Sequence, residues 1–247
     1  MQRKFHAVTS AVWLDASVIE TVERAARRFE QLNDIPVQIL YNQDLGGKIL
    51  THRRFVKSLI WEYVPSDVDY VLYYDYDVLP LAPLGKIPEA KFAAAPDIRK
   101  SMDAAFDIWP LLRQYNIFFS TSVMLSHRSM AELFDRVACA QSYKPDQHGK
   151  YEQSLFNIFI QYKRAIHQLP KSWNYIVGCE VEAVQEPKML NLGGIESNML
   201  MMRVLLDVLT EREDPLAVAR SLAAAKKMVE ELQRGNKTGD QEHPVAG

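Results

Sequence analysis

Asp69-Tyr-Val-Leu-Tyr-Tyr-Asp75-Tyr-Asp77-Val-Leu-Pro80 decides how this chain is read. Its first half is an apolar and aromatic run, the pattern of a buried strand. Residues two apart on an extended chain project to the same side. Asp75 and Asp77 are therefore expected to point together where a core strand reaches the surface. Paired hard oxygen anions suit Mg²⁺ or Mn²⁺, and such an ion binds a diphosphate in turn. The outline is that of a sugar-nucleotide site. Two aspartates that simply end a strand and face water are the bland alternative, and the surrounding sequence favours the site.

Upstream, strands and helices alternate. Lys4–Ser10 reads as a strand, and Ser17-Val-Ile-Glu20 as the capping box of a helix whose Val18, Val22, Ala25, Ala26, Phe29 and Leu32 repeat at helical spacing. Pro36–Tyr41 is a second strand and Asn42–Lys48 a loop. A helix is expected over Ile49–Tyr63, with Val56, Leu59, Ile60 and Tyr63 on one face. This order implies a parallel sheet covered by helices, which binds ligands beyond the carboxyl ends of its strands. Asp75 and Asp77 stand at such an end.

Downstream the pattern is mixed. Lys91–Ala95, Asn116–Ser126, Arg164–Leu169 and Lys188–Leu192 read as strands. Ser129-Met-Ala-Glu132 is a second capping box, opening a helix to about Gln141, and a further helix covers Tyr151–Tyr162 after the polar loop Ser142–Lys150. Beyond Gly193-Gly194 the chain reads as helical, with Asp214-Pro215 as a helix start. Residues 1–195 are expected to form the catalytic domain, 196–234 a helical extension, and 235–247 a disordered polar tail. The stripe Val218, Leu222, Ala225, Val229, Leu232 could pack on the body or pair two copies into a homo-oligomer. Met199–Leu209 is apolar enough for a core helix or a peripheral membrane contact.

At 247 residues with 48% apolar and 24% charged content, the chain is of ordinary globular composition. A net charge of −2 argues against a nucleic-acid-gripping surface. Cys139 and Cys179 are expected to be buried thiols rather than a disulfide framework. The N-terminal residues lack a signal-peptide core, and no apolar stretch is of bilayer-spanning length, so a reducing cytoplasm is the expected location.

Five segments, in order, resemble one family. Lys57-Ser-Leu-Ile-Trp-Glu-Tyr-Val-Pro65 precedes the Asp75-x-Asp77 strand; Phe118-Phe-Ser-Thr-Ser-Val-Met-Leu125, Glu152-Gln153-Ser-Leu-Phe-Asn157, Leu169-Pro-Lys-Ser-Trp-Asn174 and Met189-Leu-Asn191-Leu-Gly-Gly194 follow. Together they resemble the GT-A-type glycosyltransferases of the glycogenin and bacterial lipooligosaccharide galactosyltransferase class, over roughly residues 49–195. The resemblance implies an α/β fold, with a Rossmann-like mixed sheet flanked by helices and a helical C-terminal extension. It implies transfer of a hexose from a nucleotide-sugar donor, by family habit a UDP-sugar, to the hydroxyl of a saccharide or other acceptor, with retained configuration. Asp75, Asp77 and Asn191 would hold Mn²⁺ or Mg²⁺. Lys57 would approach the donor phosphates, and Thr9, Ser120 and Ser122 would lie along the donor pocket. Glu152 would hydrogen-bond donor hydroxyls, Gln153 would lie near the anomeric carbon, and Trp173 and Asn174 would line the acceptor side.

The departures are specific. Asn191 stands where the family has a metal-binding His, and an amide oxygen is the weaker ligand. Ser120-Thr-Ser122 replaces Asn-Ser-Gly, and Thr9-Ser10-Ala11 matches the family's uracil-holding residues poorly. His148 and His167 are no more than nominal substitutes for the missing ligand. These departures support the alternative of a non-catalytic carbohydrate-binding or scaffold protein on the same fold. A nucleotidyltransferase is disfavoured, because Val8–Asp15 carries no glycine or basic residue to cradle a triphosphate. Glycosylation of modified DNA bases is a further alternative that acceptor screening would reveal.

Overall fold

The computed structural model describes residues 3–46, 48, 53–97, 118–140, 151–162, 166–176, 186–192 and 196–210. Its strands are β1 (Phe5–Ser10), β2 (Val37–Leu40), β3 (Tyr70–Tyr74), β4 (Val78–Pro80), β5 (Phe92–Pro96), β6 (Phe119–His127), β7 (Ile166–Gln168), β8 (Tyr175–Ile176) and β9 (Met189–Asn191). The main sheet has the order β2-β1-β3-β6-β5-β7, and β4-β9-β8 forms a second, smaller sheet. The run Tyr70–Tyr74 is buried at every residue because it lies in the middle of the main sheet. On one side β3 pairs with β1 in parallel, Val8 opposite Tyr73; on the other it meets β6 antiparallel, Tyr73 opposite Met124. The expected α/β mixed sheet is therefore present. The parallel part is β2-β1-β3, and the antiparallel β6 breaks the parallel order.

Alternation along β3 divides the core. Val71 and Tyr73 join one cluster with Phe55, Val56, Ile60, Phe134 and Phe156. Tyr70, Leu72 and Tyr74 join another with Phe29, and the rings of Phe29 and Tyr74 stack 5.2 Å apart. The helices on the first face are α2 (Ile60–Tyr63), α3 (Ala131–Ala140) and α4 (Tyr151–Tyr162); α1 (Ala16–Asn33) covers the second, joined by α5 (Glu196–Thr210).

Local differences from the sequence reading have identifiable causes. Helix α1 is capped by Asp15, whose carbonyl accepts from Val18 and Ile19, so Ser17 is already helical and its capping box is not used. At the second box, His127 caps instead: its Nδ1 accepts from the Ser129 backbone, and a 3₁₀ turn Arg128–Met130 precedes α3. Arg53–Leu59 is 3₁₀ rather than α-helical. There the Ser58 hydroxyl bonds back to the Phe55 carbonyl at 2.6 Å, competing with helical bonding. Phe55 through Ile60 are all buried, so the segment sinks into the core rather than presenting one face. Cys139 is exposed on α3, contrary to the expected buried thiol. Ile49–His52, Asn116, Ser142–Lys150, Cys179, Gly193-Gly194 and everything from residue 211 lie outside the described residues.

Helix α5 settles where Met199–Leu209 goes. Met199, Met202, Leu205 and Leu206 are buried against Val22, Ala25, Leu79 and Leu190, so its apolar face is core. No helix among the described residues is long and apolar enough to cross a membrane. Arg28 on α1 ties the second sheet down, donating from Nε to the Pro80 carbonyl at 2.8 Å and from Nη2 to the Leu81 carbonyl at 3.1 Å. We expect Leu205→Ala to lower unfolding stability by about 2–5 kcal/mol, the range for emptying a fully buried leucine site, as read from a denaturant midpoint.

Candidate active site

Tyr73 and Asp75 alternate onto the same face of β3, the one carrying Phe55 and α4. Lys57 reaches this face from the 3₁₀ segment with only 1% of its surface exposed. Its Nζ lies 3.1 Å from Asp75 Oδ1 and 3.4 Å from Glu152 Oε1, within hydrogen-bond reach of the Thr121 carbonyl (3.3 Å) and hydroxyl (3.2 Å). The same ammonium sits 5.3 Å from the centre of the Tyr73 ring. The Tyr73 hydroxyl donates to Asp75 Oδ1 at 3.0 Å and lies 3.5 Å from Ser10 Oγ. Lysine is seldom buried unless paired, and here two carboxylates from distant elements pair it. Rather than presenting an open cation to a ligand, Lys57 is committed to Asp75 and Glu152.

The electrostatics follow from this pairing. Burial alone would push the Asp75 carboxyl up, but the Lys57 charge and hydrogen bonds from Lys57, Ser122 and Tyr73 outweigh it and hold the group below its ordinary value. Asp75 thus stays an anion. Tyr73 is moved the other way: burial first, then the adjacent Asp75 charge, hold its phenol protonated well above the usual range. It is a fixed donor to Asp75.

The Asp75-Tyr76-Asp77 segment is not extended. The Val78 amide bonds back to the Asp75 carbonyl at 3.0 Å, closing a turn that carries the chain from the main sheet to the second one. The two carboxylates are therefore placed by a turn rather than by strand alternation. Asp75 faces the Lys57 cluster, with its amide bonded to the Ser122 carbonyl at 2.8 Å. Asp77 is buried, and its carbonyl accepts from Leu192 at 3.0 Å. Asn191 stands across from Val78 in the β4–β9 ladder, directly beside Asp77 in register. Its Nδ2 donates to Asn174 Oδ1 at 2.9 Å. Among the described residues no three His, Cys, Asp or Glu side chains group as a metal site. The oxygen donors of Asp75, Asp77 and Asn191 are of the hard type that fits Mg²⁺ or Mn²⁺.

Helix α4 is fastened to the sheet by one side chain. Asn157 Oδ1 accepts from the Phe119 amide at 2.7 Å and its Nδ2 donates to the Phe119 carbonyl at 2.8 Å. This side chain takes the place of a strand partner where the β5–β6 register shifts between Ala94 and Pro96. One helical turn earlier, Gln153 is buried and its Nε2 donates to Asp97 Oδ2 at 2.7 Å. Asp97, just beyond β5, was not singled out from sequence, since one acid after an apolar strand carries no pattern. Ser120 and Ser122 are buried on β6, with Ser120 Oγ accepting from the Ser122 amide at 3.3 Å. Thr9 is wholly buried, and its hydroxyl has no hydrogen-bond partner. It lies on the opposite face of β1 from Ser10, away from the lysine cluster. Trp173 is a core residue at 4% exposure, packed with Leu169 and Met189, so it offers no open face for sugar stacking. His167 is exposed on the edge strand β7 and joins none of these groups.

A second residue missed by sequence is Trp13. It follows the carboxyl end of β1, is 51% exposed, and holds φ at +55°, with its amide donating to Asn42 Oδ1 at 2.9 Å. A bulky residue in the left-handed region is a genuine outlier, and such strain concentrates at ligand sites.

No protein-family model matches the chain, and no curated protein matches it. Solved structures do. A glycosyltransferase involved in glycosylation of the major capsid of PBCV-1 aligns over 81% of this chain and 99% of its own, at TM-score 0.59 and 14% identity. The galactosyltransferase LgtC, solved with donor and acceptor sugar analogues, aligns over 87% and 99% at TM-score 0.55 and 13% identity. Mouse xyloside xylosyltransferase 1 aligns over 80% and 99% at TM-score 0.52 and 11% identity. At such identities the likeness establishes architecture: the chain has the GT-A glycosyltransferase fold.

Lys57→Met is expected to remove about 3–5 kcal/mol of stability at pH 7, because it leaves the buried Glu152 and the partly buried Asp75 without their cation. The pH response gives the sign. In the wild type Asp75 is held low, so its contribution is present at neutral pH and is lost only as pH falls through that lowered value. Without Lys57, burial raises Asp75, and the variant recovers stability as the acid protonates. Denaturation curves of the two proteins should therefore draw together between pH 7 and pH 4.

Proposed function

We propose that the chain is a glycosyltransferase that moves a hexose from a nucleoside-diphosphate sugar, a UDP-sugar by our reading, to an acceptor hydroxyl. The observation that carries this is the Lys57–Asp75–Glu152 cluster around a buried ammonium. It is built at the carboxyl ends of the sheet strands on a GT-A fold, where such sheets bind ligands. Asp75, Asp77 and Asn191 would hold Mg²⁺ or Mn²⁺. When bound, that ion would supply positive charge opposite the leaving diphosphate.

The chain's own residues have distinct tasks in this reading. Lys57 keeps Asp75 ionised and holds Asp75 and Glu152 in place at the floor of the site. Glu152 accepts hydrogen bonds from donor-sugar hydroxyls. Gln153, its nitrogen held by Asp97, turns its amide oxygen toward the reacting face of the sugar. Preorganised dipoles of this kind stabilise charge that develops in an oxocarbenium-like transition state. LgtC has an active-site glutamine, changed to glutamate in one of its solved variants; Gln153 is our candidate for the equivalent task. Trp13 offers its exposed ring to the nucleobase beside the end of β1.

Calorimetric titration of UDP with and without Mn²⁺, on wild type and on Asp75→Ala/Asp77→Ala, tests the site. Binding that requires both metal and the aspartates is the expected result. A wild type that binds no nucleoside diphosphate would move the non-catalytic reading forward. Trp13→Ala should weaken nucleoside binding by about 1–3 kcal/mol, the usual worth of one base–aromatic stack, seen in the same titration. With a donor and acceptor in hand, NMR of the product should show retained anomeric configuration; inversion would remove the task assigned to Gln153.

A further inference from the structure

Asn174 carries an unmet demand that the proposed function has not used. It is 3% exposed, and its Oδ1 accepts from Asn191 Nδ2 at 2.9 Å. Its own Nδ2 is buried and has no hydrogen-bond partner among the described residues. A buried amide N–H₂ without an acceptor costs about 1–3 kcal/mol, and native proteins rarely leave one unmatched. Turning this amide alone offers no escape, because it would set two N–H₂ groups against each other at Asn191.

The surroundings say what kind of acceptor is missing. The Asn191 bond turns the nitrogen of Asn191 toward Asn174 and its oxygen away from it. Asn191 pairs across from Val78, and the next residue toward the turn is Asp77. The amide pair therefore stands at the rim of the carboxylate turn, where a diphosphate would lie.

We propose that Asn174 is a binding residue for the diphosphate of the donor, its Nδ2 donating to a phosphate oxygen while its Oδ1 fixes the Asn191 amide. This rests on the nucleotide-sugar reading above and deepens it. It also reassigns Asn174 from the acceptor side to the leaving-group side. One side chain then serves both a phosphate oxygen and the oxygen ligand of Asn191, so diphosphate contact and the orientation of Asn191 are set together.

Asn174→Asp separates these tasks. It keeps an oxygen to accept from Asn191 but replaces the donor with a second carboxylate oxygen, which repels phosphate. The probe is whichever of UDP, GDP, ADP and CDP the wild type binds most tightly in Mg²⁺, compared with its nucleoside. Asn174→Asp should lose at least 10-fold in affinity for the diphosphate and none for the nucleoside, with a melting temperature close to wild type. Asn174→Ser, a shorter donor, should recover part of the loss. An unchanged diphosphate affinity in a folded Asn174→Asp overturns the proposal, as does an equal loss for the nucleoside. An effect confined to the acceptor KM would return Asn174 to the acceptor side and also overturn it. A wild type that binds none of the four diphosphates defeats the nucleotide-sugar reading itself, an outcome distinct from the others.

Discussion

One buried ammonium group shared by two carboxylates, Glu152 buried and Asp75 partly so, governs the arrangement of this molecule. Lys57 is drawn from a 3₁₀ segment, Asp75 from the end of β3, Glu152 from α4 and Thr121 from β6. Desolvating each ion costs several kcal/mol, so the cluster persists only if every element arrives in place. The geometry therefore constrains four segments at once. The pairing also leaves one formal negative charge over, which Tyr73 and Ser122 help to stabilise by donating to Asp75.

The legible parts of the sequence were those with a strong period. The apolar run of β3 and the 3.6-residue repeat of α1 fall where the residues put them, and α4 has the expected bounds of Tyr151–Tyr162. Capping was misread at Ser17 and Ser129 because a box pattern does not reveal that Asp15 or His127 has already taken the cap. Asp75-Tyr-Asp77 alternates like a strand, so nothing local announces the turn that splits it between two sheets. The 3₁₀ coil of Arg53–Leu59 was hidden too, since no hydrophobic period reveals that the Ser58 hydroxyl will compete for the Phe55 carbonyl.

The site residues were visible in proportion to their neighbours in sequence. Glu152-Gln153 and Asp75-x-Asp77 form short patterns. Asp97, Trp13 and the Asn174–Asn191 pair do not: each gains meaning from a partner distant in the chain or from a backbone angle. Burial also reversed expectation for Lys57: a lysine on a helix-like segment is ordinarily exposed, and this one is inside because two carboxylates pair it. Trp173, which the resemblance would set on the acceptor side, is instead core beside Leu169 and Met189, the commoner fate of a tryptophan.

The second sheet has a bearing on how the molecule comes into being. Residues 78–80 emerge early, yet their ladder partner is residues 189–191, and β8 joins only through β9. Contacts so separated in sequence are slow to close and late to form. During synthesis, the half of the carboxylate turn that belongs to β4 therefore waits, unpaired, while most of the described chain is made. The candidate site is assembled last, and a chain cut short before β9 would carry the lysine cluster without the edge that completes it.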